Sequence, residues 1–269
     1  MTIDGKCTWE DFKSRALRLL SGPDDGSRPL FRGHASSSWD LETTLDRSGY
    51  SVEIFDYYRL IFSIRPEVQT YTGKRWADTP DLGAIGKELS DYDAFSRMLT
   101  FGRLPHYAYM AYLRHHGFPS PLLDWSSSPF VAAYFAFQEA REDDVAIFAY
   151  RERGPSQMKV GGSDEPAITQ LGPYLEGAPE RHFAQQSQYT ICTTWQNVSP
   201  FFSEHSKVCR PYKADDELQQ DVVFKFVLPL SQRKQVLQEL QMYNLNAFTL
   251  FGSQESLMQS LFIRQTLMP

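Results

Sequence analysis

Cysteine is scarce in this sequence. Cys7, Cys192 and Cys209 are widely spaced and form no CxxC pair, so neither a disulfide framework nor a zinc cluster is indicated, and a reducing compartment fits best. Long apolar runs are missing too. None approaches the roughly 18 to 20 residues that a membrane-spanning helix requires, and the first twenty residues carry Asp4 and no uninterrupted apolar core of signal-peptide length. These absences predict a soluble, cytoplasmic protein with no membrane partner.

Positive charge is also short. The 27 Lys and Arg against 33 Asp and Glu give a net charge of -6, so no general nucleic-acid binding is expected, because a phosphate backbone is gripped by a basic face. The six histidines show no HExxH or paired Cys/His spacing, and no metal is expected. Nucleotide motifs built on glycine are absent as well: there is no Walker loop and no GxGxxG, and Gly161 and Gly162 lack the flanking pattern.

What the chain does have is apolar and aromatic mass. With 42% hydrophobic residues over 269 positions it can bury a full core, as one domain spanning residues 1–269. Aromatics reach 14%, with 19 Phe and 14 Tyr, and the tyrosine hydroxyls need partners in the core or in a pocket suited to planar ligands.

Local patterns order the elements. "TWEDFKSRALRLL" is an amphipathic helix capped by Thr8, with Phe12, Ala16, Leu19 and Leu20 on one side. "SGPDDGSRP" is a loop, and "LFRG" a short strand ending at Gly33. Residues 51–70 and 91–115 have helical spacing, broken at Pro105 and stopped by Gly117. "SPLLDW" predicts a strand, "SPFVAAYFAFQEARE" a helix and "DVAIFAY" a buried strand; "QYTICTTW" and "DVVFKFVLP" add strands, and "SQRKQVLQELQMYNL" and "SQESLMQSLFIRQ" add helices. The expected fold class is α+β with a mainly helical N-terminal half.

Three segments carry candidate chemistry. In "FRGH" (Phe31 to His34), Arg32 ends a strand beside Gly33, a glycine that lets a ligand approach the backbone, and its guanidinium suits a phosphate or ribose. The competing reading is an arginine paired with a carboxylate. In "LRHHGFPSPLLDWSSSPFVAAYFAF", one of His115 and His116 is expected to face the same turn as Asp124, a pairing suited to proton transfer or ligand binding. A histidine satisfied by a backbone carbonyl is the alternative. Ser128 is placed to cap the helix ahead of Pro129, which leaves Ser126 and Ser127 for a ribose, amide or phosphate group, or for a structural Ser turn. In "RHFAQQSQYTICTTW", Gln185 or Gln186 can direct its amide into a cleft at the sheet edge.

Taken in order, these segments resemble the FRG domain family, named for its Phe/Tyr-Arg-Gly motif, here Phe31, Arg32 and Gly33. "WDLETTLDR" (Trp39 to Arg47) resembles the family's follow-on, and "HHGFPSPLLDWSSSPFVAAYFAF" its central block. "RHFAQQSQYT" is similar to its Arg...Ala-Gln-x-Gly segment, with Ser187 where the family has Gly, and the resemblance covers roughly residues 8–262. A more distant resemblance is to ADP-ribosyltransferases. It implies mixed or antiparallel sheets around a cleft and NAD as substrate. Arg32 would contact the NAD phosphates or ribose, Ser126 would support the nicotinamide ribose and Gln185 would stand at the usual catalytic glutamate. Phe31, Gly33, His116, Asp124, Ser127, Ser128 and Phe135 would line the nucleotide site, with Ala132 and Ala133 on its helix.

The neutral Gln185 departs from that pattern, since an amide keeps the hydrogen bond and loses the charge that stabilises a cationic anomeric carbon. Asp124, Glu176 and Glu180 are the alternative carboxylates. The enzyme reading is NAD cleavage with transfer of ADP-ribose to a macromolecule or to water, as in a toxin or phage-defence effector. The alternatives are a non-catalytic nucleotide- or protein-binding module, and a nuclease using His116 and Asp124.

Overall fold

A computed structural model describes residues 5–22, 28–50, 52–100, 104–152, 166–172, 180–208, 210–211 and 221–267. Its strands are β1 (Gly5–Lys6), β2 (Leu30–His34), β3 (Leu123–Ser126), β4 (Val145–Glu152), β5 (Ala167–Leu171), β6 (Ser187–Gln196), β7 (Ser199–Phe202), β8 (Arg210–Pro211) and β9 (Asp221–Leu228). Its helices are α1 (Trp9–Leu20), α2 (Thr44–Arg47), α3 (Ile54–Thr72), α4 (Leu82–Leu89), α5 (Tyr92–Thr100), α6 (Tyr107–His115), α7 (Pro129–Gln138), α8 (Glu180–Ala184), α9 (Arg233–Met242), α10 (Ala247–Phe251) and α11 (Gln254–Leu267). None is long and apolar enough to cross a membrane, among the described residues.

Local signals act where they were expected. Thr8 accepts from the Asp11 N–H in a capping box that starts α1. Ser128 caps α7 by accepting from the Val131 N–H, with Pro129 opening the helix. The chain leaves α6 through His116 and then Gly117, at φ 86°. The loop expected at "SGPDDGSRP" falls largely outside the described residues, as do Cys209 and the Gly161–Gly162 pair.

The strands form one mixed sheet of nine in the order β1-β9-β4-β2-β3-β6-β5, with β7 on β6 and β8 on β9. Only β1 and β8 run parallel to their neighbour β9. Among the described residues the architecture is therefore mixed α and β on a single sheet, where several sheets around a cleft were expected. Helices do dominate the first half, yet β2 and β3 from that half lie at the centre of the sheet.

Opposed residues of neighbouring strands share a face. Phe31 is opposite Ser126, Ser126 opposite Ser187 and Asp124 opposite Tyr189, so Phe31 and Tyr189 belong to one face. Over the β9-β4-β2 end of that face α1, α7 and α9 pack on Phe31, Ile147, Phe224 and Phe226. At the β6-β5 end α3, α5 and α6 pack on Tyr189, Ile191 and Leu171. The other face buries Leu30, Trp125, Phe148 and Tyr150 beneath Leu41.

Gly33 fixes how closely α7 approaches. A Cβ there would stand 1.9 Å from the Ala132 carbonyl oxygen and 2.6 Å from the Ala136 nitrogen. The glycine of the Phe-Arg-Gly motif therefore makes room for the helix backbone, where the sequence pointed to a ligand. Ala132, Ala133 and Ala136 are buried in the same contact.

Candidate functional site

β2 and β3 share a single register pair, Phe31 with Ser126, whereas β2 pairs along its whole length with β4. The two central strands thus diverge, and the divergence lies between the two groups of helices. A cavity of about 790 Å³ opens there, within the range of about 300–1,000 Å³ usual for small-molecule sites.

Arg32 crosses the gap. Its Nε donates to His34 Nε2 at 2.9 Å, and one terminal nitrogen donates to the Asp124 carbonyl at 2.6 Å while standing 3.9 Å from the Asp124 carboxylate. Since Arg32 is the donor, His34 accepts through Nε2 and is the neutral imidazole. Burial, and then the Arg32 charge, push His34 down to about 3. Burial also pulls Arg32 down to about 10; Asp124 opposes this, and Arg114 and Arg47 add to it. Arg114 closes on the same carboxylate oxygen, its Nη2 donating to Asp124 Oδ2. The carboxylate pairing that rivalled the ligand role of Arg32 is thus present, inside the cavity wall.

The hydroxyls of Ser126 and Ser128 are both engaged. Ser126 donates its hydroxyl to the Gln185 carbonyl at 2.8 Å and accepts from the Ser128 N–H at 3.0 Å. The Ser127 N–H donates to the Gln186 carbonyl at 3.0 Å. These bonds tie the β3–α7 joint to the α8–β6 joint. Gln185 itself reaches α10, its amide donating to the Leu250 carbonyl at 3.0 Å. Its neighbour Gln186 is exposed, at φ 48°.

Of the residues singled out in the sequence, the cavity gathers Phe31, Arg32, Gly33, Asp124, Ser126, Phe135 and Gln185. Ser127, Ser128 and His116 are not among its lining residues. His116 is exposed at the end of α6, its ring 4.3 Å from that of Tyr112, so the pairing of His116 with Asp124 does not form. His115 lines the cavity in its place, with Nε2 2.7 Å from the Tyr189 hydroxyl. Burial above all pushes His115 down to about 4; Asp124 pulls upward, while Arg181, His182 and Arg114 add to the depression. Glu180 opens α8 and does not line the cavity, and Glu176 lies outside the described residues.

Other wall residues had no assigned role in the sequence. Arg47, Arg181, Trp39, Asp40, Glu42 and Glu139 all contribute, and Trp39 is 56% exposed at the rim. A partial signal existed: Trp39 and Arg47 bound the follow-on segment, and Arg181 opens the segment containing Gln185.

Residues 27–145 match the family model of the FRG domain. That stretch, less than half of the chain, is similar to an FRG domain. The match takes in Arg32, Gly33, Asp124 and the three serines, whereas Gln185 and Arg181 lie beyond it. No curated protein and no solved structure matches the chain. The sheet continues past the FRG match, since β5, β6, β7, β8 and β9 all follow residue 145.

Proposed function

We propose that the cavity of this protein binds NAD and supports ADP-ribosyl transfer to a macromolecule or to water. The supporting observation is that Arg32, Ser126 and Gln185, from three separated segments, line one cavity together with the aromatic wall of Phe31 and Phe135. In the reaction the bond between ribose C1′ and nicotinamide breaks, nicotinamide leaves with the bonding pair, and an oxygen of water or of an acceptor side chain bonds to C1′ and loses its proton. A carboxylate near C1′ would stabilise the cationic transition state. Gln185 cannot supply that charge and Asp124 is held by Arg114 and Arg32, which leaves Asp40, Glu42 and Glu139 as the lining carboxylates. Transfer of this kind is what a toxin or phage-defence effector would carry out.

One observation favours a second reading, a nucleotide-binding module without turnover. The Gln185 amide nitrogen donates to the Leu250 carbonyl, which ties the side chain to α10, and its neutral amide brings no negative charge to a ribose.

The test is incubation with NAD, following free nicotinamide by chromatography, for the wild type and for Arg32→Lys with its fold checked by circular dichroism. Release by the wild type and its loss in the variant support transfer. Stabilisation by NAD in a melting experiment without release supports the second reading. Neither release nor stabilisation at millimolar NAD removes both.

A further inference from the structure

The residues lining the cavity include charges of both signs. The segment before α2 and the end of α7 contribute Asp40, Glu42 and Glu139 alongside Arg47. α6 and α8 bring Arg114, His115 and Arg181 together near Asp124, and of these His115, Arg181 and Asp124 line the cavity. Asp124 is already answered by Arg114 and Arg32. Arg181 has no carboxylate within ion-pair distance among the described residues, and one of its terminal nitrogens donates only to the neutral His115 carbonyl, at 3.0 Å. Its Nε is buried and has no hydrogen-bond partner among the described residues.

A guanidinium in a cavity wall, with a buried donor unmet and no counter-charge, is an incomplete arrangement. An oxyanion completes it, because an anionic oxygen accepts charge-assisted bonds from the guanidinium edge. Arg32 is less suited, since its Nε and one terminal nitrogen are taken by His34 and Asp124.

We propose that Arg181 is the phosphate-recognising cation of the cavity, and that Arg32 is a positioning residue which holds β2 and β3 apart around the ligand. The ligand class is a nucleotide bearing a phosphate or diphosphate. This rests on the reading of the cavity as a nucleotide site, and is independent of whether the nucleotide is turned over.

The experiment is titration calorimetry of the full chain with ADP, with adenosine as the ligand lacking phosphate and with inorganic pyrophosphate as the anion alone. The wild type is expected to bind ADP at least about tenfold tighter than adenosine, with the advantage shrinking as salt rises. Arg181→Gln is expected to abolish the advantage and pyrophosphate binding, Arg181→Lys to recover part of it, and Arg59→Gln, a charge-matched change at an exposed position of α3, to leave it intact. An Arg181→Gln protein that melts like the wild type and keeps its preference for ADP overturns the proposal, as does a wild type that does not distinguish ADP from adenosine. ADP binding that depends on Arg181, without nicotinamide release from NAD, upholds this site and removes the transfer reading. Nicotinamide release with an unchanged KM in Arg181→Gln does the reverse.

Discussion

A Cβ atom at Gly33 would lie 1.9 Å from the carbonyl oxygen of Ala132. The obstacle is helix backbone, which cannot rotate away as a side chain would, so Gly33→Ala must push α7 off the sheet. The expected cost is on the order of 3 kcal/mol, the upper end for overpacking a core. Urea unfolding measures it; a variant within about 0.5 kcal/mol of the wild type would show that α7 has slack the packing does not reveal.

Ser126 and Ser128 should separate under substitution. Ser128→Ala removes an N-cap and is expected to cost about 1 kcal/mol, leaving stabilisation by added nucleotide unchanged, since Ser128 does not line the cavity. Ser126→Ala strips partners from the Gln185 carbonyl and the Ser128 N–H together, for about 1–3 kcal/mol. Equal melting temperatures for the two variants would contradict this ordering.

Asp124 holds two guanidinium groups, and its removal leaves Arg32 and Arg114 facing each other without a counter-charge. With Asp124 side chain 34% exposed, solvent screens part of that repulsion, so Asp124→Ala is expected to cost about 2 kcal/mol, below the roughly 3–5 typical of a fully buried pair. In a double-mutant cycle with Arg114→Ala the losses should be far from additive. Additive losses would mean that the pair contributes nothing beyond its separate side chains.

Acid should unfold the protein through His34 and His205. Burial, followed by the Arg32 charge, depresses both to about 3. A histidine whose folded pKa lies below its unfolded value of about 6.5 takes up a proton only on unfolding, so stability falls as pH drops from about 6.5 toward 3. At pH 5 each contributes a loss on the order of 2 kcal/mol. Melting curves from pH 7 to 5 for the wild type, His34→Gln and His205→Gln would show it. Slopes as steep in both variants as in the wild type would assign the acid sensitivity elsewhere.

The parts of the fold legible in the sequence were those with local causes. The Thr8 and Ser128 caps, the stop at Gly117 and the apolar strand at Val145–Glu152 each depend on residues within a few positions of one another. β5, β7, β8 and the short helices α8 and α10 leave no clear local signal in the sequence, because they are brief and draw their support from neighbours in space. The site was half legible. Arg32, Asp124, Ser126 and Gln185, singled out in separate segments, line one cavity. His115 lines the cavity and His116 does not, because which of two adjacent histidines faces it depends on the phase at which α6 ends.

What the sequence determined by itself was the kind of residue available at each joint: a capping serine, a strand-end arginine, a glycine where no side chain was wanted. The tertiary structure decided what each is for. Gly33 makes room for the helix because the backbone of α7 crosses directly over it, while it also lines the cavity. Arg181 gains its meaning because α8 sets it against a cavity wall where the neighbouring carboxylate is already claimed. Caps and stops act over a few residues, whereas an arginine's charge takes its role from whatever distant segments the sheet order brings within a few ångströms.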